Sequence, residues 1–452
     1  MRPATRALLF SGLLGGTIAC SKGSSSSPGG PDPALTSASA ATTGADAAPA
    51  TPDATPQGAA SSPPSEGPRN VLLLSIDSLR ADMPWAGYPR AIAPRLTAFE
   101  KQSVSYTHAY AISSYTSMSL GGLLAGRYPH ELQRDGFFFG KYAAQNDMFP
   151  ERLAAAGVAT VGAHAHGYFQ NAGFEQGFAD WRIVPNLKWN AQQDDNVTSP
   201  ELEALFEEGL SAAAKKGRFF AWVHFLDPHD LYIGHEKDGI EPFGKTLRDK
   251  YDAEVLFTDK YVGKLLDFVD AQPFGKDTIV IVTADHGEAF GEHKQFRHGF
   301  EIWENLVRVP LMVRIPGNAP RHVDTPRGAI DLAPTILEAL GVEGPKGLPG
   351  QSLLPEVKGK DAPPRPVVVD LPATSNNDRR RAVVSGKWKM TSYGQGQLYF
   401  KLFDLEADPG EERPITKGED FERMRAVYKE VTSSIKDVMP TSCGQGCLEG
   451  TK

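Results

Sequence analysis

Two carboxylates and a histidine in this 452-residue chain have the types and positions expected of a divalent-cation site. Asp77 closes the stretch "NVLLLSID", and Asp285 with His286 closes "TIVIVTADH". Carboxylate oxygens and an imidazole nitrogen bind such a cation, and a hydroxyl bound to it loses its proton far more easily than a free hydroxyl. The cation also neutralises charge on a phosphoryl or sulfuryl group during transfer. The three residues therefore predict metal-assisted chemistry on an anionic ester.

A run of hydroxyl side chains supplies candidates for the nucleophile. The stretch "ISSYTSMSLGGLLAGRYPH" contains Ser113, Ser114, Thr116, Ser117 and Ser119. Ser and Thr are also favoured at helix N-termini, where the hydroxyl accepts a hydrogen bond from a free backbone N–H. The run by itself is consistent with a nucleophile or with a helix cap.

The candidate ligands follow stretches that have the character of buried strands. Three continuous apolar runs each end in an aspartate, at Asp77, Asp227 and Asp285. Runs that are apolar on both faces are typical of a parallel sheet. In such sheets the carboxyl ends of the strands hold the site, so we expect all three aspartates at one edge.

Helical patterns alternate with these strands. One begins near Pro94, one at Ser199 as cap with Pro200 in the first helical position, and one near Tyr251. Strands that alternate with helices predict an α/β fold, a doubly wound α/β/α sandwich with helices on both faces of the sheet.

The residue pattern changes after a further predicted helix that begins at Asp331. Alternating stretches separated by turn signals follow, which predicts a small antiparallel sheet. We therefore assign residues 69–345 to a catalytic domain and residues 346–452 to a C-terminal subdomain and tail.

These pieces, in this order, resemble the sulfatase family of the alkaline phosphatase superfamily. The motifs that carry the resemblance are "IDSLRAD", "GRYP", "TADHGEAFGEHKQFRHG", "ENLVRVPLMVRIPG", "DLAPTILEALGV" and "LFDLEADPGEE". They span nearly the whole globular part. The resemblance implies an alkaline-phosphatase-like fold, hydrolysis of sulfate or phosphate esters, and a bound divalent cation.

The resemblance also selects one hydroxyl. Ahead of "GRYP", sulfatases carry a cysteine or serine that is oxidised to formylglycine, and Thr116 stands at that position here. Met118 and Leu120 stand where the sulfatase signature has proline and arginine. Threonine cannot become formylglycine, and no cysteine lies between residues 21 and 442. Thr116 instead resembles the nucleophile of the threonine branch of the superfamily, which includes phosphoethanolamine and glycerophosphate transferases.

In that branch one early carboxylate, the threonine and a late Asp-His pair hold the metal. The resemblance thus implies Asp77, Thr116, Asp285 and His286 as ligands of one divalent ion, either Zn²⁺, Mn²⁺ or Ca²⁺. Many sulfatases have two aspartates at the first strand end, whereas Asp77 is followed by Ser78. A single early carboxylate fits the threonine branch better.

Two further histidines are candidate catalytic residues through their place in the family pattern. His298 stands where sulfatases commonly have a lysine that contacts the transferred group, so it is expected to bind the anion or to move a proton. His229, in "FLDPHD", matches a histidine that would protonate the leaving group. His164, His166 and His293 are expected at most to line the substrate pocket.

The N-terminus predicts export. A basic start and an apolar run of thirteen residues, 7–19, predict a signal peptide over residues 1–19. The apolar run is too short to span a bilayer, which needs about 20 residues. Cys20 in "TIAC" resembles the acylated cysteine of bacterial lipoproteins, and the alternative is an ordinary cleavage site that releases a soluble protein. Residues 20–68 comprise this cysteine and a disordered Ser/Ala/Pro linker. We expect a protein of the bacterial cell envelope, in the periplasm or at the outer membrane, held at the membrane by its lipid anchor only.

Composition limits the possible partners. The formal net charge of −8 argues against a nucleic-acid-binding protein. Cys443 and Cys447 are expected to form a small disulfide loop in an oxidising compartment rather than a metal site.

The sequence leaves three classes of function open. The first is a hydrolase of phosphate monoesters or diesters that acts through Thr116. The second is a sulfuric ester hydrolase, and a phosphoethanolamine- or glycerophosphate-type transferase is a variant of the first. The third is a noncatalytic exported binding protein. Hydrolysis is preferred over lipid-dependent transfer because no apolar stretch after residue 19 is long enough to cross a bilayer.

Overall fold

The computed structural model describes residues 70–136, 140–188, 196–374, 377–394 and 396–438. The predicted signal peptide, Cys20, the linker and the Cys443–Cys447 loop lie outside the described residues, so the statements made about them stay predictions.

Helices and strands alternate through the first part of the chain. The helices are α1 Pro94–Glu100, α2 Thr116–Ala125, α3 Phe149–Ala155, α4 Ser199–Ala214, α5 Leu247–Ala271, α6 Glu304–Val307, α7 Leu332–Ala339, α8 Leu354–Val357 and α9 Glu419–Thr432. The strands are β1 Asn70–Ile76, β2 Val104–Tyr106, β3 Ala109–Tyr110, β4 Ala159–His164, β5 Asp180–Ile183, β6 Phe219–Phe225, β7 Thr278–Ala284, β8 Arg308–Val309, β9 Leu311–Arg314, β10 Arg321–Val323, β11 Arg327–Gly328, β12 Val367–Leu371, β13 Arg380–Ser385, β14 Trp388–Tyr393 and β15 Tyr399–Asp404. In the described ranges, every helix is too short or too polar to cross a bilayer.

An eight-stranded sheet forms the centre, in the order β10-β2-β9-β7-β1-β6-β4-β5. The five strands from β7 to β5 run parallel, and β9 pairs antiparallel with both β7 and β2. The carboxyl ends of β7, β1, β6 and β4 therefore meet at one edge, which is the place where such sheets bind their ligands.

Helices cover both faces of this sheet. Leu72 and Leu74 of β1 pack in a core that includes side chains of α1, α4 and α5, whereas Val71 and Leu73 pack in a core that includes α2, α3 and α7. All of β1 is buried, as expected of a strand that is covered on both faces. The structure confirms the predicted doubly wound α/β/α sandwich.

A second sheet follows in the C-terminal part. Strands β12 to β15 pair antiparallel in chain order. Helix α9 packs on them through Phe421, Met424 and Tyr428, and the Tyr428 hydroxyl lies 2.6 Å from Ser392 Oγ. This confirms the predicted antiparallel subdomain. Its first strand, β12, was not among the stretches from which the sheet was predicted. The boundary between residues 345 and 346 stays a prediction.

A buried lysine connects the second sheet to a loop near the catalytic edge. The Lys389 ammonium donates to the carbonyl of Ile302 at 2.8 Å and to Glu304 at 3.0 Å, and it pairs with Glu411 at 3.0 Å. Burial alone lowers the pKa of Lys389, but the two glutamates raise it above its ordinary value. The lysine therefore stays charged and anchors the segment that follows His298.

Candidate active site

The carboxyl ends of four parallel strands bring polar side chains together on one face of the sheet. Asp77 and Asp285 directly follow β1 and β7. In the paired register Ser75 lies beside His224 of β6 and Thr283 of β7. Because side chains alternate along a strand, Ser75 and Asp77 lie on the same face as Val71 and Leu73, which is the face that α2 covers.

Ser78 fixes the two carboxylates relative to each other. Its backbone φ of 57° lies in the left-handed region that non-glycine residues rarely adopt. Its N–H donates to Asp285 Oδ1 at 3.2 Å, its hydroxyl donates to Asp77 Oδ1 at 2.7 Å, and its carbonyl accepts from the Tyr251 hydroxyl at 2.9 Å. Strained backbone of this kind persists where surrounding contacts over-determine it, often at functional sites.

His286 presents a lone pair to both carboxylates. Its Nδ1 lies 2.9 Å from the carbonyl oxygen of Gly287, which can only accept, so Nε2 of the neutral ring is unprotonated. Burial, with the charge of His298, holds the pKa of His286 well below its ordinary value. Nε2 lies 3.3 Å from Asp285 Oδ2 and 3.7 Å from Asp77 Oδ1. Asp285 Oδ2 is buried and has no hydrogen-bond partner among the described residues.

These groups fit the predicted divalent cation. One ligand atom from each of Asp77, Asp285 and His286 lies within 4.8 Å of the others, and all three residues are buried. Lone pairs that face one another across a buried gap repel unless a cation lies between them. A histidine that donates its other nitrogen to a backbone carbonyl is also the usual form of a metal-binding histidine.

The ionisation of the two aspartates differs strongly. Burial raises the pKa of Asp285 well above its ordinary value, and the negative charge of Asp77 raises it further. Burial alone also raises the pKa of Asp77, but the charge of His229 and the hydrogen bond from His166 lower it well below its ordinary value. Two carboxylates held this close favour a bound cation, which allows both to ionise.

Thr116 places its hydroxyl among these groups. Its Oγ1 lies 3.0 Å from His286 Nε2 and 3.5 Å from Asp77 Oδ2. Helix α2 begins at Thr116, and Tyr115 precedes it without a side-chain cap. The hydroxyl is therefore directed at the candidate ligands, and the N-terminus of α2 adds a positive potential that favours an anion.

His298 and His229 lie beside the same centre. The His298 ring centroid is 4.1 Å from that of His286 and 5.0 Å from that of His229. His298 Nδ1 lies 3.2 Å from an oxygen of Glu288, a fully buried residue whose other oxygen accepts from the Tyr232 hydroxyl at 3.0 Å. Burial alone lowers the pKa of His298, but the charge and hydrogen bond of Glu288 raise it above its ordinary value.

The site contains two histidines that the sequence analysis did not assign to it. His166 was expected only to line a pocket, and His224 was not predicted at all. His166 Nε2 lies 2.8 Å from Asp77 Oδ2, and His224 Nε2 lies 3.5 Å from the same oxygen. The one signal for His224 in the sequence is a polar residue inside the apolar run "FFAWVHFLD".

Asp227 has a structural role instead. Its Oδ1 accepts from the backbone N–H of Thr198 at 2.7 Å and from the hydroxyl of Thr198 at 2.7 Å, and its Oδ2 accepts from the N–H of Ser199 at 2.6 Å. Asp227 lies at the same edge of the sheet as Asp77 and Asp285, as predicted, but it binds the start of α4 rather than the candidate ligands. The expectation that the Ser199 side chain caps α4 is wrong. A carboxylate from the end of β6 binds the free amides at the start of the helix.

Aromatic packing holds the two remaining candidate histidines. The His164 ring lies 4.7 Å from the Trp181 ring and 5.3 Å from the Phe169 ring. The His293 ring stacks on Trp303 at 4.0 Å. Their expected place in the substrate pocket stays a prediction.

Two protein-family models match this chain. The sulfatase family model matches residues 69–342, and a model described as N-sulphoglucosamine sulphohydrolase, C-terminal, matches residues 291–439. A choline-sulfatase of Rhizobium meliloti is 23% identical over 425 residues, covering 76% of this chain and 81% of the relative. An ulvan-active sulfatase of Formosa agariphila is 23% identical over 405 residues, covering 79% of this chain and 78% of the relative.

A solved structure shares the fold. The phosphonate monoester hydrolase of Agrobacterium radiobacter superposes with a TM-score of 0.69 at 18% identity, covering 81% of this chain and 95% of that one. The first family match covers more than half of the chain, and it lies over the strands that carry Asp77, Asp285 and His286. The family match therefore favours an enzyme over a noncatalytic binding protein. The chain belongs to the sulfatase family of ester hydrolases.

Proposed function

We propose that the chain is an exported hydrolase that cleaves phosphate monoesters or diesters with Thr116 as nucleophile. Asp77, Thr116, Asp285 and His286 would hold one divalent cation. The observation that supports this most is the position of Thr116 Oγ1, 3.0 Å from His286 Nε2 and 3.5 Å from Asp77 Oδ2. Because threonine cannot become formylglycine, the reaction would proceed through an ordinary ester of this hydroxyl, as in the threonine branch of the superfamily.

Each step of the proposed reaction conserves atoms and charge. Thr116 Oγ1 attacks phosphorus, the Oγ1–phosphorus bond forms, and the bond to the leaving alcohol breaks. The hydroxyl proton passes to solvent, and the leaving oxygen takes a proton from His229 or His298. Water then attacks phosphorus and returns one proton to that histidine, the Oγ1–phosphorus bond breaks, and Thr116 Oγ1 takes a proton from solvent as the product leaves.

Neighbouring residues prepare these steps. A divalent cation, when bound, would lower the pKa of the attacking hydroxyl and neutralise charge on the ester. Hydrogen bonds from Ser78 and His166 hold the Asp77 carboxylate in place. Glu288 orients His298 and favours its protonated form, which suits anion binding and proton donation.

Sulfate esters are the second candidate substrates, and the family match supports them. The choline-sulfatase and the ulvan-active sulfatase are named for sulfate substrates, whereas the phosphonate monoester hydrolase is named for a phosphorus ester. Without formylglycine, sulfate hydrolysis would need direct attack by Thr116 or water. Formylglycine sulfatases act through the hydrate of their aldehyde, and Thr116 cannot form one. We therefore favour a phosphorus ester over a sulfate ester as the substrate.

A matched substrate panel tests the proposal. Aryl esters with one leaving group, as the sulfate, phosphomonoester and phosphodiester, are assayed with Zn²⁺, Mn²⁺ and Ca²⁺. We expect kcat/KM to be highest for a phosphorus ester. Turnover of the aryl sulfate alone, together with an aldehyde on a residue of the 113–119 stretch, would contradict it. An added alcohol that appears in the product would indicate a transferase.

Replacement of Glu288 tests the role of His298. If protonated His298 is required, kcat/KM is present at low pH and is lost as the pH rises through the raised pKa of this residue. Glu288→Gln removes the charge that raises this pKa, so the basic limb of the pH profile is expected to move to lower pH. Tyr232→Phe keeps the carboxylate and serves as the control, with a smaller shift. An unchanged basic limb in Glu288→Gln would exclude His298 as the titrating group.

The location of the protein is a separate proposal that rests on "TIAC" at residues 17–20. We expect mass spectrometry to find a lipid on Cys20 and the wild-type protein to sediment with membranes. Cys20→Ser is expected to release the protein, because a lipid anchor is its only predicted contact with the bilayer. Equal membrane association of both forms would point to ordinary cleavage and a soluble exported protein.

A further inference from the structure

Asp77 faces a second group of possible metal ligands on the side away from Asp285. Its Oδ2 lies 2.8 Å from His166 Nε2 and 3.5 Å from His224 Nε2. One ligand atom from each of the three residues lies within 4.8 Å of the others. The two imidazole rings stack at 5.3 Å between centroids, with 21° between their planes, so both present the same edge to the carboxylate.

The Nε2 nitrogen of His224 has no hydrogen-bond partner among the described residues. His224 is fully buried, and its Nε2 makes no hydrogen bond to any described residue. Its Nδ1 lies 2.9 Å from Ser75 Oγ, which also accepts from Trp222 Nε1 at 2.9 Å and lies 3.4 Å from the carbonyl of Val223. When the Ser75 hydroxyl donates to that carbonyl, Nδ1 donates to Ser75, and the Nε2 lone pair faces the carboxylate.

A buried lone pair directed at a carboxylate oxygen is unfavourable unless a cation lies between the two. We propose that Asp77, His166 and His224 bind a second divalent cation, so that Asp77 bridges two metal ions. This inference deepens the proposed function and rests on it for its catalytic meaning, but its ligands on the second side are separate from Asp285 and His286.

The kind of ion follows from the donors. Two imidazoles and one carboxylate suit Zn²⁺ better than Ca²⁺ or Mg²⁺, which prefer oxygen ligands. With Zn–N bonds of about 2.0–2.1 Å, adjacent ligand atoms of a tetrahedral site lie roughly 3.3 Å apart. The His224 separation already matches this spacing, and the His166 contact would open by roughly 0.5 Å.

Three protein ligands leave one coordination position open, as in catalytic rather than structural zinc sites. Thr116 Oγ1 lies 3.5 Å from the same Asp77 Oδ2 that faces the two histidines. An ester bound against Thr116 would therefore lie next to both ions. Paired cations of this kind stabilise the attacking and the leaving oxygen of an in-line displacement.

Zinc stoichiometry tests the second site. The purified full chain is stripped with a chelator, reloaded with excess Zn²⁺, freed of unbound ion and measured by elemental analysis. We expect two ions per chain in the wild type, and one in each of His224→Ala, His166→Ala and Asp285→Ala. His322→Ala, which removes an exposed histidine at the far edge of the sheet, is the matched control and is expected to keep two. Circular dichroism identifies any variant that fails to fold.

The outcomes separate the two proposals. One ion in the wild type, lost in Asp285→Ala and kept in His224→Ala, would overturn the second site and leave the proposed function standing. Two ions that persist in folded His224→Ala and His166→Ala would overturn the assignment of these ligands. A wild type that binds no zinc would overturn the second site and the metal dependence together. If neither histidine variant folds, anomalous scattering from zinc-loaded wild-type crystals decides: two peaks about 3.5–4 Å apart around Asp77 support the inference, and a single peak overturns it.

Discussion

Thr116→Ala is expected to lower kcat on the best phosphorus ester by at least about 10³-fold while the protein stays folded. The substitution removes the only side-chain oxygen that this residue places near His286 and Asp77. It leaves the backbone of α2 unchanged, and the helix does not use this hydroxyl as its cap, so the loss of stability should be about 1 kcal/mol. Steady-state kinetics and thermal unfolding measure the two effects separately.

Three variants of the same stretch control this experiment. Thr116→Ser keeps the hydroxyl but loses the methyl group that restricts its rotamer, so part of the activity should remain. Ser114→Ala and Ser117→Ala should have mild effects. Mass spectrometry after trapping with a slow phosphodiester should find the adduct on Thr116. An adduct on a neighbouring serine, or an aldehyde there, would show that the nucleophile is misassigned.

Asp285→Ala and His286→Ala are expected to lower the metal content by one ion per chain and to abolish activity together. Each substitution removes one candidate ligand from a buried set of three, and loss of a ligand weakens metal binding steeply. Asp285→Ala also removes the acceptor of the Ser78 N–H, so the turn that positions Asp77 should loosen. Elemental analysis and kinetics on the same preparations measure both effects.

Asp227→Asn is the matched control for this pair. It replaces another buried aspartate at the same edge of the sheet, but its carboxylate binds the start of α4 rather than the candidate ligands. We expect it to lower the melting temperature and to keep the full metal content. Full metal occupancy in both Asp285→Ala and His286→Ala would remove these residues from the metal site.

The sequence determined the features that depend on short, local patterns. A run such as "TIVIVTAD" is apolar at four successive positions, 279–282, which predicts a strand buried on both faces, and its end at Asp285 marks the catalytic edge of a parallel sheet. The family motifs predicted that Thr116, His229 and His298 lie at the active site. In the structure, the side chains of Thr116 and His298 lie close to His286, and that of His229 lies close to His298. The sulfatase family was predicted from the same motifs and is confirmed by the family match.

Only the tertiary structure decided which polar residues meet at Asp77. Neighbouring strands in the sheet are far apart in the chain, so no local pattern tells that β6 pairs with β1 on one side and β4 on the other. That pairing brings His224 and His166 against Asp77, although His224 has the sequence context of a core residue. The fold likewise decided the role of Asp227, which lies at the predicted edge but binds the free amides at the start of α4. A carboxylate binds whichever donors the fold places next to it, and for residues separated by many positions only the packed structure specifies those donors.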